Sequence, residues 1–426
     1  MRLWFVLGKN QELAKKEIEA AATILPFQWI ASMLHPGILE LKSTAPLEWE
    51  TDRLAGFCSP KAAQFQQDIV QLQDRLGGTI KIVWMLDEVA SNKIHTWLAP
   101  QLTAASKGRW TLGVSFLQGK GPAEKYGLET KRLLKEQGLG MRYVPLKDAT
   151  GSSASLWHNH LLLAPFDPEK PGIELNIANG HQGYLLGFTL TAQNITAYTQ
   201  RDFGIPEADA VSGMLPPKLA QTMLNLALAG KKPEEVLVYD PFCGNGRVLV
   251  EYAEMGGKAF GSDLMAEKVA ASQRNLEWMF QNEAAAIRPE DLVWTMDATS
   301  PEAPTTFLTK KGKDIRPFVI VAEPYLGRPL RGPLRAHEID DWVKPLERLY
   351  MDFLATWMKQ ARADKPRSII LIFPEAKVQQ GRPISLFANL FDRLGKLGYS
   401  AERLSHYARP DAVVGRDIVL LKAHSL

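Results

Sequence analysis

The stretch from Val236 to Arg247 constrains the fold of this chain more than any other. An apolar run of strand length ends in Asp240, and a turn containing Gly244 and Gly246 then leads into a helical pattern. This order predicts a strand, a tight loop and a helix. The glycines permit positive φ angles and let a ligand lie against bare backbone, while the start of the helix presents free N–H groups. A doubly wound sheet binds nucleotide-like cofactors at this place, beyond the carboxyl end of its first strand.

Strand and helix patterns alternate through the rest of the second half, from Val248 to Lys422. Such alternation predicts an α/β fold with a mostly parallel, doubly wound sheet. Four of the predicted strands end at or near an acidic residue: Asp240, Asp263, Asp297 and Glu323. Because the carboxyl ends of parallel strands meet at one edge of a sheet, we expect these acids to lie at the ligand cleft. The alternative for each acid taken singly is a helix N-cap.

The spacing of the acids indicates what kind of cofactor the cleft binds. Asp263 lies about 20 residues beyond Asp240, as in units whose second acid hydrogen-bonds a ribose, and Asp297 is placed to accept from an adenine amino group. The run beginning at Gly244 lacks the third glycine of the dinucleotide fingerprint. The form acid-Pro-Phe-Cys-Gly-x-Gly resembles motif I of S-adenosylmethionine-dependent methyltransferases. The resemblance implies S-adenosylmethionine as cofactor, bound by Asp240, Pro241, Phe242, Cys243, Gly244, Gly246, Asp263, Leu264, Asp297, Ala298 and Pro216.

The end of the fourth strand points to the methyl acceptor. Glu323-Pro324-Tyr325 resembles the [DNS]-P-P-[YFW] signature of methyltransferases that act on amino groups of nucleobases. The resemblance implies that Glu323 and the Pro324 carbonyl accept hydrogen bonds from the target amino group, while Tyr325 stacks on the flipped base. The chain departs from the signature twice, because Glu replaces Asp or Asn and only one proline is present. The alternative is that Glu323-Pro324 only ends a strand.

Basic residues are concentrated in two places. Residues 107–148 contain nine Lys or Arg against four Asp or Glu, and the helix predicted within this stretch carries Lys125, Lys131, Arg132 and Lys135. A Pro- and Gly-rich loop with Arg328, Arg331 and Arg335 directly follows the Glu323 strand end. Both arrangements suit contacts to RNA phosphates, and the alternative in each case is an ordinary solvated surface.

The first half predicts a separate α+β region. Strand patterns include Leu3–Leu7 and Thr79–Leu86, and a short one at Leu161–Leu163. His158 and His160 have the spacing of metal ligands on a strand, but no cysteine or third ligand stands near in sequence, so we predict no metal site.

Taken together, these motifs resemble those of the THUMP-domain tRNA guanine-N2 methyltransferases that modify guanosine 10. Further resemblance lies in Phe5–Asn10, in Leu76–Ile82, in Tyr198-x-x-Arg201-Asp202 and in Gly213–Ala220. The family resemblance implies four parts. They are a ferredoxin-like part at residues 1–60, a THUMP-like RNA-binding domain at 61–170, a linker with connecting strands at 171–215 and a Rossmann-like methyltransferase domain at 216–426. It also implies tRNA as partner, with the segment ahead of motif I closing over the cofactor.

Composition narrows the class of protein. With a net charge of +3, the chain as a whole is not a polybasic nucleic-acid binder, so any basic surface that contacts nucleic acid must be local. Two cysteines fit a reducing compartment, no apolar run is long enough to span a bilayer, and we expect a cytoplasmic protein. Two other functions stay open: N6-adenine methylation of nucleic acid, and RNA binding by a chain that keeps the cofactor fold without catalysis. The sequence also leaves open whether one or two methyl groups are transferred, whether a small activating subunit is needed, and whether the protein is a monomer or a homodimer.

Overall fold

Two β-sheets form the framework of the protein. The computed structural model describes residues 1–118, 121–146, 153–208, 214–281, 288–409 and 411–424. These divide into two units, Met1–Tyr198 and Thr199–Leu426, and each unit contains an eight-stranded sheet. Gly213, which belongs to one of the segments of family resemblance, lies outside the described residues, as do residues 119–120 and 147–148 of the basic stretch.

The first unit contains strands β1 to β8 and helices α1 to α7, the last of which crosses the division between the units. The strands are β1 (Arg2–Leu7), β2 (Trp29–His35), β3 (Ile38–Ser43), β4 (Thr79–Val89), β5 (Trp110–Phe116), β6 (Met141–Val144), β7 (Gly172–Asn179) and β8 (Tyr184–Ala192). The helices are α1 (Gln11–Ala21), α2 (Arg53–Phe57), α3 (Ala63–Arg75), α4 (Ile94–Ala105), α5 (Ala123–Glu136), α6 (Ser153–His158) and α7 (Ile195–Phe203).

The order of strands in the first sheet is β2-β3-β1-β4-β8-β7-β5-β6. Strand β1 runs antiparallel to both β3 and β4, so the chain from β1 through α1, β2, β3, α3 and β4 forms a β-α-β-β-α-β arrangement. Strand β5 is parallel to β6 and β7. Asn10 caps α1 as its sequence predicts, because its side chain accepts a hydrogen bond from the Leu13 amide at 3.2 Å.

The segment after α6 corrects one sequence prediction. The expected strand at Leu161–Leu163 is wrong, since these residues follow the helix as irregular chain. The Leu161 amide donates to the Leu156 carbonyl, which closes the end of α6, and His158 is the last residue of that helix. His160 has a φ of +54°, so the two histidines do not project from one strand. A short apolar run does not distinguish a strand from the end of a helix.

A buried ion pair joins two strands of the first sheet. Lys81 on β4 and Glu174 on β7 are both fully buried, and the Lys81 Nζ lies 2.8 Å from each carboxylate oxygen. The hydroxyls of Ser115 and Thr189 also donate to this carboxylate. Burial lowers the pKa of Lys81, and the charge of Glu174 opposes that shift. Neither charge is tolerable here alone, because an unpaired ion in the interior loses its hydration without compensation.

The second unit contains strands β9 to β16 and helices α8 to α14. The strands are β9 (Leu237–Asp240), β10 (Lys258–Asp263), β11 (Val293–Thr295), β12 (Phe318–Ala322), β13 (Ile369–Ala376), β14 (Ile384–Ser385), β15 (Tyr399–Tyr407) and β16 (Val414–Ala423). The helices are α8 (Pro217–Leu228), α9 (Arg247–Glu254), α10 (Ala266–Met279), α11 (Pro289–Leu292), α12 (Ala303–Lys311), α13 (Ile339–Met358) and α14 (Leu386–Leu397). Among the described helices of both units, we find none with the length and apolar character that a membrane span requires.

The second sheet has the order β11-β10-β9-β12-β13-β16-β15, and β9 to β13 are parallel. The predicted doubly wound α/β fold is therefore confirmed. The order of strands reverses beside β9, since β10 and β11 lie on one side of it and β12 and β13 on the other. This reversal opens a crevice at the carboxyl ends of β9 and β12. The sequence patterns did not predict β15, which forms an antiparallel pair with β16 at the edge.

The buried ion pair gives a stability prediction for the first unit. Lys81→Met should lower the free energy of local unfolding by about 3–5 kcal/mol, because it leaves the Glu174 carboxylate buried without its cation. Hydrogen exchange of the β4 and β7 amides measures this free energy. The matched control is Lys15→Met, since Lys15 forms an exposed pair with Glu19 at 3.9 Å and should cost less than about 0.5 kcal/mol. Equal losses in the two variants would contradict the prediction.

Candidate cofactor and active site

The glycine loop after β9 has a fixed backbone geometry. The Cys243 amide donates to the Ser262 carbonyl at 2.9 Å, and the Gly246 amide donates to the Cys243 carbonyl at 2.7 Å. Gly244 and Gly246 have φ values of +51° and +84°. A Cβ on Gly246 would lie 2.4 Å from the Ser272 hydroxyl, whereas a Cβ on Gly244 would meet no described atom within 4 Å. The loop therefore packs against α10 on one side and is open beside Gly244.

Two of the predicted acids hold this loop in place. Asp240 is buried at the end of β9, and its Oδ1 accepts from the Phe242 amide at 3.0 Å. Asp263 at the end of β10 accepts from the Gly244 amide through Oδ2 and from the Met265 amide through Oδ1, each at 3.0 Å. Burial raises the pKa of Asp240 well above its usual value, and the charges of Asp263 and Glu323 raise it further. Asp240 is thus close enough to Asp263 and Glu323, at the same edge of the sheet, for their charges to raise its pKa.

The fourth acid, Asp297, forms a local turn. It follows β11, is exposed, and its Oδ1 accepts from both the amide and the hydroxyl of Thr299, at 2.8 and 2.7 Å. These contacts form an Asx-type turn and not the helix N-cap of the alternative, because α12 begins only at Ala303. Ala298 beside it is buried. The expected contact of Asp297 with an adenine amino group stays a prediction.

Large apolar side chains are exposed next to Asp263. Leu264 is 68% exposed and Met265 is 53% exposed, although both directly follow a buried strand. Exposed apolar residues beside a polar loop are typical of ligand-binding surfaces. A flat base would cover both side chains at this position.

The segment ahead of the glycine loop is anchored on α9 by Arg201. This nearly buried side chain donates from Nε to Glu251 at 3.0 Å and from Nη1 to Glu254 at 2.7 Å. Arg247, the first residue of α9, donates in turn to the Arg201 carbonyl. Because α9 starts directly after the loop, these contacts fix residues 199–203 with respect to the loop.

Asn275 anchors the continuation of that segment at Glu207. The sequence patterns did not predict a role for this residue. Its Oδ1 accepts from the Glu207 amide at 2.9 Å, and its Nδ2 donates to the Asn245 carbonyl at 2.8 Å. The Asn245 side chain donates to the Glu207 carbonyl at 2.9 Å. The signal for Asn275 is a polar side chain on the buried face of α10. Farther along, the Pro216 carbonyl begins α8 by accepting from the amides of Leu219 and Ala220.

The end of β12 places Glu323, Pro324 and Tyr325 in three different environments. Pro324 is buried, Tyr325 is 57% exposed, and the Glu323 side chain is mostly enclosed. The Glu323 Oε1 accepts from the Nε of Arg416 at 2.5 Å. Burial raises the pKa of Glu323, and the charges of Arg416 and Arg409 counteract this shift. No sequence pattern pointed to Arg416, which lies 93 residues beyond its partner.

The loop after Tyr325 is tied down at its far end. The Leu334 amide donates to the Lys377 carbonyl, and the Leu334 carbonyl accepts from the Gln379 amide, both at 2.9 Å. Arg328 pairs with Glu338 at 3.2 Å, and Arg331 is exposed. The far end of the loop is therefore fixed by backbone hydrogen bonds, and its basic middle is exposed to solvent.

The basic helix of the first unit is α5. All four of its predicted RNA-binding side chains are exposed: Lys125, Lys131, Arg132 and Lys135. At about 100° per residue they fall within roughly 120° of the helix circumference. Arg132 lies 3.7 Å from Glu136 in an exposed pair, so the face is not purely basic.

A second group of titratable side chains lies among β13, β15 and β16. The side chains of Glu375, His406 and Asp417 offer ligand atoms within 4.8 Å of one another. The His406 Nδ1 is 3.0 Å from Asp417 Oδ1, and Arg403 Nη1 is 3.5 Å from the same oxygen. Because a guanidinium already faces this carboxylate, the cluster is an ion-pair network, and we assign no metal to it.

Residues 207–300 match the family model described as UPF0020, RMKL-like, methyltransferase domain. The matched segment contains the glycine loop, Asp263 and Asp297, and it ends before Glu323. The second unit therefore contains a segment similar to that methyltransferase domain, while its candidate catalytic strand end lies outside the matched segment.

Curated relatives match over a short part of the chain. The tRNA (guanine(10)-N2)-dimethyltransferase of Pyrococcus abyssi is 38% identical over 64 residues, which is 15% of this chain and 18% of that protein. The enzyme of the same description from Methanocaldococcus jannaschii is 40% identical over 65 residues, with the same shares. This chain thus matches less than a fifth of the length of these relatives.

Solved structures show looser likeness. The crystal structure of SMU.472 complexed with SAH aligns over 100% of this chain and 98% of that chain, with a TM-score of 0.44 and 12% identity. The magnesium protoporphyrin IX methyltransferase of Synechocystis PCC 6803 with bound SAM covers 54% of this chain and 96% of that chain, with a TM-score of 0.30 and 15% identity.

The packing of Gly246 gives a prediction for the loop. Gly246→Ala should lower the free energy of unfolding by about 3 kcal/mol and weaken S-adenosylmethionine binding, because the new Cβ meets Ser272 at a strained φ. Calorimetric titration and thermal unfolding measure both effects. Gly256→Ala is the control, since Gly256 has a φ of +81° with no described atom within 4 Å of a Cβ and should cost only about 1 kcal/mol. Unchanged binding by Gly246→Ala would contradict the assigned role of the loop.

Proposed function

We propose that this chain is an S-adenosylmethionine-dependent tRNA methyltransferase that acts on the exocyclic N2 amino group of a guanosine, at position 10. One observation carries the proposal. The glycine loop with its acids and the Glu323-Pro324-Tyr325 strand end lie on adjacent strands, β9 and β12, at the crevice where the strand order reverses. Cofactor and methyl acceptor would therefore meet at one edge of the sheet.

The cofactor site is proposed from the sequence motif and its charges. S-adenosylmethionine supplies a methyl group on a cationic sulfonium. The charges of Asp263 and Glu323 both act on the buried Asp240 and raise its pKa, and a cationic cofactor would relieve this repulsion. Asp263 would accept from the ribose hydroxyls, since each of its oxygens makes one backbone hydrogen bond and keeps further acceptor capacity. The exposed Leu264 would lie against the adenine.

The acceptor site is proposed at the end of β12. Glu323 and the Pro324 carbonyl would accept hydrogen bonds from the amino group of the target base, which aligns the nitrogen lone pair on the methyl carbon. Tyr325 is exposed and is free to stack on a flipped base. Positioning of this kind accounts for most of what methyl transfer requires of a protein, because the sulfonium is already activated.

RNA recognition is proposed for the first unit and for the loop after Tyr325. The exposed residues Lys125, Lys131, Arg132 and Lys135 of α5 and the arginines Arg328 and Arg331 would contact phosphates. The β-α-β-β-α-β order of β1 to β4 supports a ferredoxin-like start, but it extends to Val89 and so passes the proposed division at residue 60. A THUMP-like domain after this start, with divisions at residues 170 and 215, stays a proposal from the family resemblance. We propose tRNA as partner in the cytoplasm, with or without a small activating subunit.

The role of Glu323 is tested by Glu323→Gln. The amide carries no negative charge and adds donors, so we expect the rate of methyl transfer to fall by about 100-fold, while affinity for S-adenosylhomocysteine, which lacks the sulfonium charge, stays within about twofold. Labelled S-adenosylmethionine is incubated with unmodified tRNA, and the digested nucleosides are separated. The matched control is Glu347→Gln on α13, whose carboxylate pairs with Arg393 on the surface.

The nucleoside product also decides between functions. Labelled N2-methylguanosine from the natural chain supports the proposal. Labelled N6-methyladenosine would establish the adenine alternative, and binding of cofactor and tRNA without any label would establish an RNA-binding protein. Full activity of Glu323→Gln would remove Glu323 from its proposed role.

The basic face of α5 is tested by Lys131→Ala/Lys135→Ala. Loss of two phosphate contacts should weaken tRNA binding by about tenfold near physiological salt and reduce the slope of log affinity against log salt by about two. Fluorescence anisotropy over a salt series measures both quantities. The control is Lys15→Ala/Lys61→Ala, because both lysines lie in exposed ion pairs of the same unit. An unchanged salt slope would place the RNA contact elsewhere.

A further inference from the structure

Arg416 reaches Glu323 from two strands away. It lies on β16, opposite Pro374 of β13, and β13 in turn separates β16 from β12. Neighbouring strands are about 4.8 Å apart, so β16 and β12 are separated by roughly 10 Å. The side chains of Arg416 and Glu323 together bridge this distance, and the Arg416 Nε lies 2.5 Å from the Glu323 Oε1. Both side chains are largely enclosed, with relative exposures of 12% and 17%. Few side chains other than arginine are long enough to make this contact.

We propose that Arg416 is a positioning residue that keeps Glu323 an ionised, acceptor-only carboxylate and selects the base edge it binds. The inference rests on the proposed function of this site. The Arg416 contact occupies Oε1 and thereby orients the carboxylate, which leaves Oε2 as the acceptor for the target amino group. A side chain one methylene longer than the Asp of the resembling signature needs such a restraint, because it has one more rotatable bond.

The surroundings of Glu323 explain why a cation is needed there. Four titratable or charged groups lie within electrostatic range of this carboxylate. Arg416 of β16 and Arg409 after β15 lower the pKa of Glu323, and the charge of Glu323 raises the pKa of Asp240 of β9 and of Tyr350 of α13. The Tyr350 hydroxyl donates to the Ile372 carbonyl at 2.8 Å, so that donor is already engaged elsewhere. Burial favours the protonated acid of Glu323, and the two arginines favour its carboxylate.

The ionised form matters for the choice of base. A carboxylate presents acceptors alone, whereas a protonated acid also donates. The Watson–Crick edge of guanine has adjacent N–H donors at N1 and N2, while that of adenine has an acceptor at N1 beside its amino group. An ionised Glu323 therefore matches guanine and repels the N1 lone pair of adenine. By holding the charge, Arg416 contributes to the selection of guanine.

Arg416→Met tests this inference through the pH dependence of kcat/KM. Activity requires the ionised carboxylate and is lost as the pH falls through its pKa. Without Arg416 that pKa rises, so the midpoint of the acidic limb should move upward by about one pH unit, which lowers activity by about tenfold at pH values below the limb. Arg403→Met is the matched control, because Arg403 pairs with Asp417 and not with Glu323. An acidic limb that stays in place would overturn the inference.

Arg416→Lys separates charge from geometry and provides a second variant if Arg416→Met does not fold. Lysine keeps the positive charge but lacks the guanidinium Nε, so kcat should fall while the acidic limb stays near that of the natural chain. If the acidic limb of Arg416→Lys moved as far as that of Arg416→Met, the positive charge at position 416 would not be what keeps Glu323 ionised, and the inference would be overturned. Binding of S-adenosylhomocysteine, measured by calorimetry, should be unchanged in both variants.

A double variant shows whether Arg416 acts through Glu323. Glu323→Gln/Arg416→Met should be no slower than Glu323→Gln alone, since the carboxylate that Arg416 positions is already gone. If Arg416→Met slowed Glu323→Gln by the same factor as it slows the natural chain, the inference would be overturned. If the natural chain itself methylates no tRNA, the proposed function fails. An active natural chain with an unshifted Arg416→Met profile defeats the inference alone.

Discussion

The hydrogen bond from the Gly244 amide to the Asp263 carboxylate is the contact on which the second unit's site depends. It ties the loop after β9 to the end of β10 at 3.0 Å, and the other Asp263 oxygen holds the turn that follows β10. Two neighbouring strand ends are thereby fixed as one surface. The Arg201 and Asn275 contacts then hold the preceding segment against that surface. A ligand bound at the loop would meet a preformed edge, which lowers the entropy lost on binding.

Negative charge is concentrated at this edge and has a physical cost. Asp240 is buried within the influence of Asp263 and Glu323, and its raised pKa reflects that crowding. The crowding is offset locally, because Arg416 compensates Glu323 and backbone amides compensate Asp263. Like charges kept together in a cleft are more typical of a functional site than of a core, since a structure built for stability alone would separate them.

The two units use buried charge in different ways. In the first unit, Lys81 and Glu174 are sealed inside the sheet, and hydroxyl groups saturate the carboxylate, so the pair has a structural role. In the second unit, the hydrogen bond from Arg416 goes to one oxygen of Glu323, and the next residue but one is the exposed Tyr325. The difference lies in access to the carboxylate: one is closed on every side and the other borders a cleft.

The sequence by itself determined the strand, loop and helix around Gly244, the doubly wound sheet and the acids at the strand ends, because hydrophobic periods and turn residues are local properties. It misassigned Leu161–Leu163 and did not predict β15, where short or edge patterns carry little signal. Only the tertiary structure decided that Arg416 faces Glu323 and that Asn275 holds Glu207. Those partners are 93 and 68 residues apart, and strand order and register bring them together, which no local spacing encodes.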